Sequence, residues 1–591
     1  MTELIARLKQ RKLVQWALAY IAFAFALIQV LDVIAQRFGW PDQIEKLLIL
    51  ALAVGFLVAL VLAWYHGERG AQKVSGTEIV ILALLLAIGG GLLWRYERVL
   101  PSTSGPIAAQ PHPVTITMKA PAQAIPIPAK SIAVLPLGNE SGEKDQQYFS
   151  DGLSEDLITA LSQFSGLKVI NRDSSFRFRH SKDSVQEIGE KLGVAHLLEG
   201  SVQKLGDEVR ISAELVNCKD GSTLWSQHYD RPYKDLFALQ DDISKSVAAA
   251  LKTKLLDAGD AVVQSDRPPG GNLAAYNAFL QGEFHAHRET EADQRKAIDY
   301  FTDATRIDPD YAAAWAALGG TQGNLAGNYV GGSEATQAWE QARAAVNHAL
   351  RLDASLASAH AAYTFILFSA DHDWKQAAAE AQRAYQIAPD KGYFALAVVQ
   401  GALGNAQQAV DLLRHGLSTD PLCAACYDYL ARFLPALGEF DEAARAVRKA
   451  LEINPERYFS RMQLTYVYAM QGNAAAALQA AQQEPRGVWR DEALAMALQV
   501  GSDRPAADAA LRTAIANDSG DAAYQIAEIY ALRRDPDNMF KWLERASQNR
   551  DPGIQLLLTD PPILRYKDDP RFTAFCKKVG LPTTTDAKAL P

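Results

Sequence analysis

Cysteine is scarce in this chain: Cys218, Cys423, Cys426 and Cys576 are four residues among 591. So few cannot staple a protein of this size, and its cores must carry the fold. Three common enzymatic signatures are also missing. There is no Gly-x-x-x-x-Gly-Lys-Ser/Thr loop to cradle a triphosphate, no His-Glu-x-x-His helix to hold zinc, and no Gly-x-Ser-x-Gly elbow to raise a nucleophilic serine. Basic charge is thin, with 59 Lys/Arg against 68 Asp/Glu for a net −9. Residues 1–100 hold 10 basic and 7 acidic residues, so the remainder is more acidic still. That bulk argues against nucleic acid as the main partner, because affinity for phosphates comes chiefly from Lys and Arg. Apolar residues are plentiful, at 49% hydrophobic against 21% charged, which is what buried cores require. At roughly 100–200 residues per domain, the length divides into several modules.

Residues 13–31, 47–65 and 79–94 are long apolar runs, each near the roughly 20 residues that span a bilayer. Trp64-Tyr65 and Trp94 end two of them at interface level. The reading is a membrane anchor over 1–100 with three transmembrane helices. Arg7, Lys9, Arg11 and Lys12 before the first run, and Arg69 and Lys73 between the second and third, place the amino terminus on the cytoplasmic side and everything after about residue 95 on the far side. Asp32, at the edge of the first run, reaches interfacial water in this scheme. Residues 101–130 follow with seven prolines from Pro101 to Pro128 and no helical or strand period, a linker that extends at about 3.1 Å per residue.

From Ser131 the pattern changes to short strands and amphipathic helices: strands at 131–136, 167–170, 196–203, 208–217 and 222–230, and helices near 148–163, 184–192 and 235–255. Val209, Ile211, Ala213 and Leu215 alternate with Arg210, Ser212 and Glu214, which gives that strand one apolar and one wet face. Gly206 and Gly221 sit between the last three strands where tight hairpins need turn residues, predicting an antiparallel meander.

The strings VLPLGNESGEKDQQYFSDGLSEDLITALSQFSGLKVINRDSSF, LGVAHLLEGSVQKLGDEVRISAELVNCKDGSTLWSQHYDR and DLFALQDDISKSVAAAL make residues 131–255 resemble the TolB amino-terminal-like, or FlgO-like, domain of bacterial envelope and regulatory proteins. QWALAYIAFAFALIQVLD and FGWP resemble the anchor of the same chains. The resemblance implies association with tetratricopeptide repeats, an envelope role and no established catalysis. Related chains begin with a winged-helix or nucleotidyl cyclase module. Twelve residues precede the first apolar run, so an effector is expected in trans.

After a linker at 256–271, Ala-rich helical segments recur over 272–550 with turn tetrads IDPD (307–310), LDAS (352–355), IAPD (387–390), TDPL (419–422) and INPE (453–456). Their third positions, Pro309, Ala354, Pro389, Pro421 and Pro455, are spaced 45, 35, 32 and 34, the tetratricopeptide period with one enlarged unit. Twelve residues before each stand Ala297, Ala342, Ala377, Ala409 and Ala443; five before stand Ala304, Ala349, Ala384, Gly416 and Ala450. Small residues there let the two helices of each unit pack closely. Gly404 and Gly438 fall at the turn inside a unit, and 327–337 reads as an inserted loop. Residues 551–591 form a cap and tail that resembles the capping end of the same chains.

Stacked helix pairs offer the faces of their first helices as a groove for polypeptide, and Asp428 and Arg432 are the candidate partner-binding residues there. Cys423 and Cys426 invite a metal or redox reading, but they stand without a second pair and fall where small apolar residues pack. His285 and His287 point apart on a helix. Phe176-Arg177-Phe178-Arg179-His180 reads as an edge strand rather than a nucleic-acid platform.

The expected fold class is therefore multidomain: three transmembrane α-helices, an α/β TolB-N-like domain, then an all-α tetratricopeptide repeat solenoid. The expected function is a bacterial inner-membrane scaffold that recruits envelope proteins in the periplasm. It is not an enzyme and has no cofactor, metal or catalytic residue. The alternative is a transmembrane signal receptor or regulator with a separate cytoplasmic effector. Partners are proteins or peptides in the groove and the bilayer around the helices, with no nucleic acid.

Overall fold

The computed structural model describes residues 127–583 apart from 142–145, 253, 256–265, 289, 456, 458 and 518–521. The runs 13–31, 47–65 and 79–94 and most of the proline-bearing linker lie outside those residues. Among the described residues no helix is long and apolar enough to cross a membrane. The longest described helix, Gly332–Leu352, is amphipathic and carries Glu334, Glu340, Arg343 and Arg351 along its length. The fold class is corrected accordingly to an α/β domain followed by helical repeats. The inner-membrane placement, the cytoplasmic amino terminus and the bilayer contact rested on those spans and fall with them.

The α/β domain is a mixed sheet in the order β4-β1-β5-β6-β7, with β2 also paired to β5. Strand β1 (Ser131–Val134), buried throughout, lies parallel to both β4 (Lys168–Val169) and β5 (His196–Leu205). Short β2 (Gly138–Asn139) also runs parallel to β5. Strands β5, β6 (Glu208–Asn217) and β7 (Thr223–Pro232) form the antiparallel meander that the turn residues predict, with Gly206 and Gly221 at positive φ. Helix α1 (Gln147–Leu161) buries Phe149, Leu153, Leu157 and Leu161, and α4 (Leu236–Ala250) buries Leu236, Leu239, Ile243 and Val247. Both stripes follow the helical period and pack on the face of β6 that carries Val209, Ile211, Ala213 and Leu215. Burial of each such side chain contributes about 1.5–3 kcal/mol. The opposite face is covered by α2 (Arg172–Phe176) and α3 (Val185–Leu192), which pack Phe178, Ile188 and Leu192 on Ala133 and Leu197. Ser184 and Glu187 close a reciprocal capping box at the start of α3.

Two local expectations are corrected. Phe176–His180 is not an edge strand: α2 runs into it, and Phe178 turns inward to the core while Arg172 and Arg179 lie over the Phe176 ring at 4.3 and 5.2 Å. The closing helix stops at Ala250, and β8 (Lys254–Leu255) pairs with β3 (Phe164–Ser165).

Beyond this domain the described helices stand in consecutive pairs: α5 (Leu273–Ala286) with α6 (Glu291–Ile307), α7 (Ala312–Asn328) with α8 (Gly332–Leu352), α9 (Ala357–Ile366) with α10 (Trp374–Ile387), and α11 (Pro389–Ala402) with α12 (Ala406–Gly416). The series continues with α13 (Ala424–Phe433) and α14 (Phe440–Ile453), α15 (Ser460–Met470) and α16 (Ala474–Gln483), α17 (Val488–Val500) and α18 (Arg504–Asn517), and α19 (Ala523–Arg533) and α20 (Pro536–Asn549). Ala297, Ala304, Ala342, Ala349, Ala377, Ala384, Ala409, Ala443 and Ala450 are completely buried between helices. Gly416 is buried too, and a Cβ there would sit 2.0 Å from the Tyr393 ring, so even alanine is too large. Gly404, Gly438 and Gly472 turn first helix into second at φ of 85°, 79° and 71°, which side chains resist. Residues 327–337 do not form an inserted loop. Only Tyr329–Gly331 leave the helix, and the extra length extends α7 and α8, because Gly323 and Gly327 of α7 admit the rings of Trp339 and Phe365.

The α/β domain and the repeats share a core. Tyr276, Phe279 and Leu280 of α5 pack with Leu153, Leu157 and Leu239, and Leu280 fills the space over Gly152. A second contact joins α2 to the segment between α12 and α13: Asn171 N–H donates to Thr419 O at 2.8 Å, Ser174 Oγ donates to the Asp420 carboxylate, and Leu422 N–H donates to Ser174 Oγ at 2.9 Å.

Candidate functional site: the inner face of the repeats

The first helices of successive pairs pack side by side and form one continuous face, the inner face. The segment after α20 does not simply cap the end of the stack. It returns along that inner face: Asp551 takes the Tyr524 N–H at 2.8 Å, Gly553 lies under the Tyr524 ring, Leu558 meets Gly404, and Val579 O accepts from Trp374 Nε1 at 2.8 Å. Ile554, Leu557, Ile563, Phe572 and Phe575 are buried by this course. The returning segment divides the inner face into a larger and a smaller space.

The larger space is a channel of about 980 Å³ bounded by α7, α8, α9, α11, α13 and Asn549–Gln555. Its walls carry Trp339 tilted at 47° to Phe365 with 5.7 Å between centroids, Phe394 edge-on to Tyr429 at 5.2 Å, and Phe368 and Val398. The rim is polar, where Arg343 grips Asp371 with two hydrogen bonds of 2.7 and 2.8 Å. Aromatic walls with a charged rim can hold apolar side chains of a polypeptide.

The smaller space is a chamber of about 40 Å³ lined by Arg432, Phe459, Met462, Gln463, Tyr466, Met496, Gln525, Glu528, Leu556, Thr559 and Asp560. Tyr466 and Tyr524 donate their hydroxyls to the two oxygens of Asp560, at 2.6 and 3.1 Å. Burial pushes the Asp560 carboxyl up to about 6 and raises the Glu528 carboxyl beside it, a shift that Asp560 itself and then Glu492 reinforce. Arg432 lies over the rings of Tyr429 and Phe459 at 5.1 and 4.9 Å.

The two candidate partner-binding residues part company. Arg432 lines the chamber, whereas Asp428 is buried in an internal junction, accepting from Arg457 Nε and from Ser460 Oγ at 3.1 Å. Sequence reading passed over Gln463, Tyr466, Gln525, Glu528 and Asp560. Tyr466 stands one 34-residue period after Arg432 and was legible on that ground; Asp560 comes from the returning segment, and no periodicity announces it.

Cys423 and Cys426 form a disulfide at the start of α13, where Cys426 is fully buried against the Tyr393 hydroxyl. Asp420 lies within reach of both sulfurs, but it is engaged by Ser174. Cys218 and Cys576 are buried thiols, pushed up to about 11 and about 12 by desolvation, and so stay protonated. His285 pairs with Asp293 at 2.8 Å and His287 with Glu283 at 3.3 Å, on separate carboxylates. Glu155, Glu283 and His287 do approach one another closely, with the Arg172 guanidinium 3.1 Å from Glu155.

Residues 128–246, the α/β domain, match the family model described as HilA/YgeH-like transcriptional regulator, second domain, a different description from the TolB amino-terminal-like domain that these residues resemble. A protein of Rhizobium meliloti (strain 1021) named "Putative adenylate cyclase 3" is 38% identical over 212 residues, covering 35% of this chain and 35% of that protein. This chain thus spans about a third of that relative's length. Among solved structures, the type IV pilus biogenesis factor PilW is similar over 41% of this chain and 99% of its own, at 17% identity and a TM-score of 0.31. A tetratricopeptide repeat protein from Parabacteroides merdae ATCC 43184 is similar over 44% of this chain and 100% of its own, at 12% identity and a TM-score of 0.31. Scores of this size add nothing to what the helix pairs themselves show, a solenoid of helical hairpins.

Proposed function

We propose that the protein is a non-enzymatic interaction scaffold that holds a segment of another polypeptide in the larger channel of its repeats. The observation that carries this reading is the channel itself: half-buried rings from four helices, Trp339 of α8, Phe365 of α9, Phe394 of α11 and Tyr429 of α13, face one space of about 980 Å³. Aromatic side chains that are neither fully buried nor dispersed over the surface are what binding faces use as anchors. A photo-crosslinking amino acid placed at Phe394 is expected to capture a discrete protein, and the same probe at the exposed Arg445 of α14 is not. Equal capture at both positions sinks the reading, as does capture at Phe394 that survives Tyr429→Asp.

A second reading makes the chain the binding part of a regulator that works with a separate effector. The match of 128–246 to a transcriptional regulator's second domain and the cyclase name of the partial relative support it. The docking of α2 on Asp420 links the α/β domain directly to the repeats that line the channel. This reading expects Phe394→Asp to alter a transcriptional or cyclic-nucleotide response in cells. An unchanged response, with crosslinking lost, leaves the scaffold alone.

A further inference from the structure

The smaller chamber of the inner face holds more unpartnered acceptors than unpartnered donors. Gln463 and Gln525 are each only 5% exposed, both line the chamber, and their Oε1 atoms have no hydrogen-bond partner. The orientation of Gln463 is set by its Nε2, which donates to Asp428 O at 2.8 Å and leaves the oxygen turned to the cavity. An amide oxygen buried without a donor costs about 1–3 kcal/mol, so two lining one small space call for an explanation. The carboxyls of Glu528 and Asp560 line the same space, and Arg432 is the cationic side chain that lines it, its Nε also without a hydrogen-bond partner. The walls are apolar: Phe459, Met462, Met496 and Leu556.

We infer that this chamber is a binding site for an alkylammonium group, supplied by a lysine side chain of the polypeptide that the inner face holds. The inference rests on the scaffold reading for the source of the lysine. An ammonium offers three donors and no acceptor, the complement of two amide oxygens and two carboxyls. Its methylene stem suits Phe459, Met462 and Leu556, as long amphipathic side chains bury their stems on apolar surface and place the charge beyond it. A cavity of about 40 Å³ is large enough for the head group, since about 10–15 Å³ in the same measure admits a water. A carboxylate or phosphate would meet only oxygens and one guanidinium already spread over two rings. The raised carboxyls fit the same account: Glu528 and Asp560 crowd each other through a shared hydrogen bond, with Glu492 adding its charge to Glu528 and the Tyr466 and Tyr524 hydroxyls on Asp560. A bound cation relieves that crowding.

The test uses the full chain with n-pentylammonium chloride, n-pentanol and magnesium chloride as probes, read by calorimetry and by thermal stability at matched ionic strength. A capped pentapeptide with a central lysine, and the same peptide acetylated on that lysine, identify the source. Pentylammonium and the lysine peptide are expected to bind, with pentanol and the acetylated peptide at least tenfold weaker. Glu528→Gln and, separately, Asp560→Asn should each weaken the ammonium probes at least tenfold while circular dichroism stays unchanged. The inference is overturned if magnesium stabilises the chain as well as pentylammonium does, if neither variant changes affinity, or if pentylammonium binds and the lysine peptide does not. Crosslinking at Phe394 is read on its own, so partner capture without ammonium binding defeats this inference alone, and ammonium binding without partner capture defeats the scaffold alone.

Discussion

At Gly416 the identity of one residue decides whether two helices can approach. The sequence shows that the position is small in every unit; the Tyr393 ring pressed onto it shows why alanine, found in the other four, does not serve here. Gly416→Ala is expected to cost about 1–3 kcal/mol in denaturant unfolding despite the better helix propensity of alanine, whereas relief of the clash by Tyr393→Leu should make the same change harmless. Asp156 offers a second test. It accepts hydrogen bonds from Tyr276 and Gln240, and burial pushes its carboxyl up to about 7. A carboxyl raised on folding binds its proton more tightly in the native state, so its contribution is complete below about pH 4 and is lost as pH rises through about 7. Asp156→Asn should therefore flatten the stability profile and raise stability at pH 8 by roughly 1–3 kcal/mol, with little gain at pH 5. A variant that gains equally at both pH values would show that the carboxyl is ionised throughout.

Elements were legible where period and punctuation agree. The meander could be placed because Val209 to Leu215 alternate and glycine occupies both turns, and the helix pairs because alanine recurs at two fixed offsets from a proline-bearing turn. Failures came where a short stretch is governed by what it touches. The Phe176–His180 string alternates like a strand, but Asn171 and Ser174 are bonded to the 419–422 turn, which anchors a helical turn there. Ser174 Oγ serves Asp420 and Leu422 N–H together, so Ser174→Ala leaves a buried carboxylate and a buried amide short of a partner. The expected loss is about 1–3 kcal/mol, with faster amide exchange confined at first to residues 416–423. Loss of protection spread evenly over β5 to β7 instead would place the contact's role inside the sheet. Residues 327–337 misled for a related reason, since glycines that look like loop punctuation are helix positions cut away for Trp339 and Phe365.

Over the whole described molecule, the α/β domain and the repeats are joined by a core that no linker interrupts, with Leu280 of α5 seated over Gly152 of α1. Leu280→Ala should cost about 2–5 kcal/mol and lower the unfolding of sheet and repeats together. Scanning calorimetry is expected to show one shifted transition for β5 to β7 and α5 to α10, and two separated transitions would show independent bodies. The sequence by itself determined the alternation of the sheet, the repeat period and the small residues on which helix pairs close, because these are local regularities that each residue's own side chain imposes. It did not determine that residues 551–581 travel back along the inner face, that Asp560 meets Tyr466, Tyr524 and Glu528, or that Asp428 is consumed within the fold. Those were decided by tertiary structure, because they depend on contacts between segments far apart in the chain, such as Trp374 with Val579 and Tyr466 with Asp560, which no single repeat contains.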